Sequence, residues 1–85
     1  MDYYVILGIE RDATKIDIKK AYHKLAIIWH PDKNKSPEAK SKFQQISEAY
    51  QVLYNEDSRT QYDYCGKTDF NIKSPEELFN ELFND

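Results

Sequence analysis

Pro31 stands between two stretches of helical periodicity and decides how they can be joined. Proline has no N–H to donate, and its ring drives the preceding residue out of the helical region. A helix entering this point must therefore end at Trp29 or His30. Upstream, Thr14 offers an N-cap for a helix running to about Trp29, with Ile18, Ala21, Tyr22, Leu25 and Trp29 on one side. Lys19, Lys20, His23, Lys24 and Ile27 fall on the other side or its shoulders. Downstream, Ser36 as cap, Pro37 as first helical residue and Glu38 at the positive end of the dipole predict a second start. Ala39, Phe43, Ile46, Ala49, Tyr50 and Leu53 form its apolar stripe, which ends near Tyr54 and Asn55. Two amphipathic helices of similar length joined by a short polar loop are expected to pack antiparallel, stripe against stripe.

The flanking segments are also helical in pattern. Asp2 is a candidate N-cap for a short apolar helix over Tyr3 to Leu7, and Gly8 suits its C-terminus. After Glu56 and Asp57, the run SRTQYDYCG reads as a short polar helix closed by Gly66, and Lys67 to Lys73 reads as a linker. Ser74 and Glu77 have capping-box spacing, Pro75 sits at a first helical position, and Leu78, Phe79, Leu82 and Phe83 make an apolar stripe. No strand alternation extends past four residues, so an all-α fold is expected. Residues 1–66 make one domain and 67–73 a linker, while 74–85 are expected to open a longer chain. The alternative for that last segment is docking onto the basic face through Glu76, Glu77 and Glu81.

With 85 residues, of which 40% are hydrophobic and 14% aromatic, the chain can fold around one modest core. The single Cys65 excludes an internal disulfide framework and a multi-cysteine zinc cluster from this chain alone, and a reducing compartment fits best. Met1 is followed directly by Asp-Tyr-Tyr, with no signal core and no stretch able to span a bilayer. A soluble monomer of the cytoplasm or nucleus, without membrane association, is the expectation. The net charge of -3 hides an asymmetry: residues 15–42 carry a balance of +5, residues 1–14 carry -2 and residues 43–85 carry -6. Such a basic zone favours an acidic partner surface or a phosphate backbone and acts mainly on encounter rate. A solvated lysine face with no partner accounts for the charge equally well.

The loop AIIWHPDKNKS carries more than a helix stop requires. Pro31 alone would end the helix, yet His30 and Asp32 flank it at the tip of a stiff turn, and Asp32 is an acid in the most basic part of the chain. One reading makes Asp32 a local cap or a partner of Lys33 or Lys35. The other makes it a presented binding group.

Four blocks in order, DYYVILGI, the lysine-rich helix ending in HPDKN, AKSKFQQISEAYQVL and SRTQYD, resemble the J-domain of the DnaJ (heat shock protein 40) family over residues 2 to about 66. The resemblance implies four helices, the second and third forming the hairpin derived above. It implies a co-chaperone that stimulates ATP hydrolysis by a DnaK-type (heat shock protein 70) chaperone and breaks no bond itself. His30, Pro31 and Asp32 would be the signature loop, with Asp32 engaging a basic group of the partner. Lys19, Lys20, Tyr22, His23 and Lys24 would form the helical face that meets the partner's ATPase, extended by Lys33 and Asn34. No cofactor is implied, and an unfolded client would be met only through regions outside these residues.

The chain departs from the family pattern at two places on that face. His23 and Ile28 stand where a basic residue is usual, so partner affinity or choice is expected to differ. Ile28 is expected to pack on the hairpin, while Ile27 stays partly exposed. A metal held by His23, His30 and Asp32 is not expected, because no fourth ligand is in place. Trp29 is expected at the core or its edge, and Cys65 as an incidental thiol. A nucleic-acid binder would use the same lysines on phosphates, but the acidic balance and the lack of base-reading residues on the exposed face count against it. An enzyme using His30 and Asp32 as an acid and base lacks a nucleophile and shelter from water.

Overall fold

Five helices follow from local capping and from the apolar stripes. In the computed structural model, which describes residues 2–66 and 73–83, they are α1 (Tyr3–Leu7), α2 (Lys15–Trp29), α3 (Ala39–Tyr54), α4 (Glu56–Cys65) and α5 (Pro75–Phe83). No strand occurs among the described residues. Most of the expected linker, residues 67–72, lies outside them.

Asp2 caps α1 by accepting the Tyr4 N–H at 2.9 Å. Gly8 closes it in the left-handed region (φ 68°), returning its N–H to the carbonyls of Tyr4 and Val5. At α2 the Thr14 hydroxyl accepts the Asp17 N–H while the Asp17 carboxylate accepts the Thr14 N–H, a reciprocal box that satisfies two orphan donors. The helix ends at Trp29, and His30 takes an extended conformation (φ -61°, ψ 129°), as the steric demand of Pro31 requires.

Two starts differ from the sequence expectation. α3 begins at Ala39 rather than Pro37; Ser36 to Glu38 form a turn in which the Ser36 carbonyl accepts the Ala39 N–H at 3.1 Å, and Glu38 makes no side-chain cap. α4 begins at Glu56, ahead of the expected start after Asp57. Asn55 supplies the cap there by accepting the Asp57 and Ser58 N–H groups at 2.9 and 3.2 Å, which places both acids in the favoured first turn.

The hairpin of α2 and α3 carries the core. Ile18, Tyr22 and Ala26 of α2 meet Phe43, Ile46, Ala49, Tyr50 and Leu53 of α3, all buried, and the Tyr22 and Tyr50 rings lie 4.6 Å apart. Full burial of each such apolar side chain stabilises by about 1.5–3 kcal/mol, which makes this seam the main source of stability. α1 adds Tyr4 and Leu7 to the same core. α4 is tied on by polar contacts: Ser58 Oγ donates to the Val52 carbonyl at 2.6 Å, Arg59 Nε donates to Tyr4 Oη at 3.1 Å, and Tyr4 Oη donates to Asp63 at 2.7 Å. Trp29 is partly buried at the core edge, with the Lys42 ammonium 6.0 Å from its ring centroid.

α5 packs on the hairpin, the docking alternative given above for this segment. Leu78 is 5% exposed, and Phe79, Leu82 and Phe83 lie against the core. The segment leading into it is clamped by Gln51, whose side-chain amide donates to the Lys73 carbonyl at 3.0 Å and accepts the Lys73 N–H at 2.7 Å. Docking runs through aromatic rings rather than through acids laid over lysines: Glu76, Glu77 and Glu81 are exposed, and Glu81 pairs with Lys73. Ala26, outside the expected stripe of α2, is also buried.

Candidate functional site

Pro31 shapes the α2–α3 loop, and a dense set of local hydrogen bonds stiffens it. The His30 carbonyl accepts the N–H groups of both Lys33 (2.9 Å) and Asn34 (2.8 Å). The Asn34 side chain donates to the Ile28 carbonyl at 3.1 Å and accepts the Ser36 N–H at 3.0 Å, so it closes the end of α2 and opens the turn before α3. Asn34, expected to extend the partner face, spends both ends of its amide inside the loop.

His30 and Asp32 are oriented oppositely by this framework. The His30 side chain is only 17% exposed and lies 5.1 Å from the Phe43 ring and 4.4 Å from the Phe79 ring, centroid to centroid. Its Nδ1 accepts the Asp32 N–H at 3.1 Å, a contact that positions the backbone of the acid. The Asp32 side chain is 88% exposed, and its carboxylate lies 3.9 Å from the same nitrogen, beyond hydrogen-bond distance. The carboxylate is therefore presented to solvent from a backbone held at two points.

Lys19, Lys20 and Lys24 are exposed along α2, and Lys33 is exposed beside Asp32. Lys15, Ile16, Lys19, Lys20 and His23 of α2 line a shallow groove with Tyr54 of α3. Ile27 and Ile28 are 45% and 48% exposed, so Ile28 does not pack into the hairpin as expected. Both instead add apolar surface between the lysines and the loop.

Tyr22 requires a correction. It was assigned to the partner-binding face, yet it is wholly buried, with its ring 4.6 Å from Tyr50 and 6.4 Å from Phe83. Burial, followed by the neighbouring Tyr50, pushes its phenol well above the ordinary value, and its Oη has no hydrogen-bond partner. His23, the neighbour, has its ring 4.5 Å from that of Phe83 and its Nε2 buried without a partner. Burial and then the charge of Lys19 lower its pKa. Among the described residues no three His, Cys, Asp or Glu side chains gather where they could share a metal ion.

The residues missed from sequence are those that hold the site in place. Phe43 reads as core in the sequence, with no sign that it supports His30. Phe79 and Phe83 read as part of an apolar stripe but not as the neighbours of His30 and His23, and Gln51 gives no signal at all, because a buried amide gripping a distant backbone leaves no periodic trace.

A short helix laid across an antiparallel helical hairpin, with a histidine, a proline and a presented aspartate at its tip, defines the J-domain architecture. The chain belongs to the DnaJ family: the family model of the DnaJ domain matches residues 2–63. It is 60% identical over 65 residues to DnaJ homolog subfamily C member 16 of Rattus norvegicus, covering 76% of this chain and 8% of that protein. It is 57% identical over 70 residues to the chaperone protein DnaJ of Methanosarcina thermophila, covering 82% of this chain and 18% of that one. Among solved structures, the J-Trx1 fragment of ERdj5 aligns with a TM-score of 0.76 at 39% identity, over 84% of this chain and 35% of the fragment. The J-domain of a mouse DnaJ-like protein aligns with a TM-score of 0.68 at 32% identity, over 84% of this chain and 83% of that domain. The chain thus spans less than a fifth of the length of either of these two relatives. No described helix is long and apolar enough to cross a membrane.

Proposed function

We propose that this domain binds the ATPase of a DnaK-type (heat shock protein 70) chaperone and accelerates its ATP hydrolysis, acting through Asp32. The observation that carries the reading is the contrast within three residues: His30 is packed between two aromatic rings while the Asp32 carboxylate stands in solvent. A carboxylate that only capped its own loop would be turned inward.

In this reading Lys19, Lys20, Lys24 and Lys33 approach an acidic surface of the partner and raise the encounter rate, an effect that salt weakens. Pro31 and Asn34 hold the loop, and Tyr22 supports the face from beneath. Asp32 then pairs with a basic group that the partner presents in its hydrolysis-competent state. Because the pair forms better in that state than in the resting one, binding shifts the partner's equilibrium toward hydrolysis. The domain acts as a monomer and makes or breaks no covalent bond. Adding the protein to a chaperone loaded with ATP is the test. Faster hydrolysis supports the reading, and no acceleration of any of several such chaperones overturns it.

A further inference from the structure

The sequence assigns the Ser36 hydroxyl to capping α3, and the structure leaves it unused. α3 starts at Ala39, its cap position is Glu38, and the Ser36 hydroxyl makes no hydrogen bond among the described residues. Ser36 and Pro37 are exposed in a loop that also exposes Lys33, Lys35 and Lys40. None of the three lysines is in an ion pair among the described residues. A free hydroxyl followed by proline thus stands in a stretch of unpaired cations.

We propose that Ser36 is a phosphorylation site for a proline-directed serine/threonine kinase, and that its phosphate brakes partner association by reversing the charge of the loop. The brake rests on the function proposed above; the site does not.

Pro37 supplies the recognition. It has no N–H to leave unpaired in a kinase groove, and its ring favours extended backbone at Ser36, the form in which a kinase takes its acceptor. Two hydrogen bonds hold Ser36 in its turn: its N–H donates to Asn34 Oδ1 at 3.0 Å, and its carbonyl accepts the Ala39 N–H at 3.1 Å. Opening them disturbs an exposed turn and leaves the buried α2–α3 seam intact. In the transfer, Ser36 Oγ attacks the γ-phosphorus of ATP. The new O–P bond forms as the bond to the β–γ bridging oxygen breaks, ADP leaves, and the hydroxyl proton passes to the kinase's catalytic aspartate.

Ser74 and Pro75 repeat the dipeptide in a setting that works against the same reaction. The Ser74 hydroxyl accepts the Glu77 N–H at 3.3 Å, its carbonyl accepts the Leu78 N–H at 3.1 Å, and the preceding Lys73 backbone is gripped by Gln51. Presenting Ser74 to a kinase therefore unseats the start of α5. Ser47 and Ser58 are buried, and Ser41 lies inside α3 with no proline after it.

A phosphoserine carries about -2 at neutral pH, so the +5 balance of residues 15–42 falls to about +3. Within residues 32–40 the charged groups are Asp32, Lys33, Lys35, Glu38 and Lys40, and the phosphate turns that loop from net basic to net acidic. An acidic partner surface then meets repulsion beside Asp32, which slows encounter. The phosphate precedes α3, where the helix dipole favours an anion, so it does not oppose the fold.

Incubation of the full 85-residue chain with ATP, magnesium and a cyclin-dependent or a mitogen-activated kinase, followed by peptide mass spectrometry, reads the site without any chaperone. Phosphate is expected on Ser36 with either kinase and earlier than on Ser74, and Ser36→Ala should lose it with no change in melting temperature. No phosphate on Ser36 from either kinase, or earlier phosphate on Ser74, overturns the site. Stopped-flow association with a DnaK-type chaperone reads the brake. The phosphorylated chain should associate about threefold more slowly at low salt, with the difference closing as salt is raised, while kinase-treated Ser36→Ala keeps the unmodified rate. Equal rates for the phosphorylated and unmodified chains overturn the brake. An unmodified chain that accelerates no chaperone refutes the proposed function and the brake with it, while phosphate mapped to Ser36 sustains the site.

Discussion

The ring of Phe79 lies 4.4 Å from the imidazole of His30, so a helix at the far end of the sequence rests on the first residue of the loop that presents Asp32. Phe43 holds the same imidazole from α3 at 5.1 Å. His30 Nδ1 in turn accepts the Asp32 N–H. Packing of two phenylalanines is thereby transmitted, through one hydrogen bond, to the backbone of an exposed acid. In the proposed function His30 is a positioning residue and Asp32 the contact.

Gln51 is the polar anchor of α5, since its amide makes both a donor and an acceptor contact with the Lys73 backbone. Gln51→Ala leaves a backbone N–H and carbonyl without those partners and should weaken α5 docking by about 1–3 kcal/mol. Hydrogen exchange confined to α5 should reveal the loss, with the α2–α3 hairpin unchanged. Equal protection in both proteins would show that the aromatic contacts alone seat the helix.

Tyr22→Phe should be neutral or stabilising by on the order of 1 kcal/mol, because the hydroxyl it removes is buried without a partner. The phenols also predict an alkaline limit. Burial, aided by neighbouring groups, raises Tyr3 and Tyr50 to about 12 and moves Tyr22 in the same direction. The unfolded chain ionises its tyrosines near pH 10, where the folded chain still keeps these protons, so stability is full below about 10 and is lost as pH rises toward 12. Tyr22→Phe should flatten that loss in thermal melts followed by circular dichroism. A melting temperature several degrees lower for the variant at pH 7 would mean that Tyr22 Oη does have a partner.

Lys20→Ala and Lys24→Ala should slow association with a DnaK-type chaperone, and the wild-type association rate should itself fall as salt is raised. Dissociation should change less, because rim charges act mainly on encounter. Stopped-flow measurement at several ionic strengths checks this. An association rate indifferent to salt would remove the lysine face from the account.

Much of the frame was legible in the sequence because its signals are local. Pro31 fixes the end of α2 by sterics, Thr14 and Asp2 cap their helices as expected, and the α3 stripe from Ala39 to Leu53 is buried throughout. The errors come from competition between equally local options. Pro37 suits a first helical position, but Ser36 to Glu38 close a turn instead. Tyr22 illustrates another limit: family resemblance placed it on a partner face, while its own angular position on α2 put it among the core residues, and the structure sides with the angle. The stripe Leu78, Phe79, Leu82 and Phe83 announced that α5 needs a surface. Which surface depends on a Gln51 amide and on two histidine rings far away in the chain, and no periodicity encodes that.

The most direct test of the central claim is single-turnover ATP hydrolysis by a DnaK-type chaperone with wild type and with Asp32→Asn. The substitution keeps the shape of an 88% exposed side chain and removes its charge, so circular dichroism and melting temperature should match wild type. The account predicts acceleration by wild type and at least a tenfold smaller acceleration by the variant, equivalent to about 1.4 kcal/mol of lost coupling. Equal acceleration by both proteins would contradict it and move the activity away from the carboxylate of Asp32.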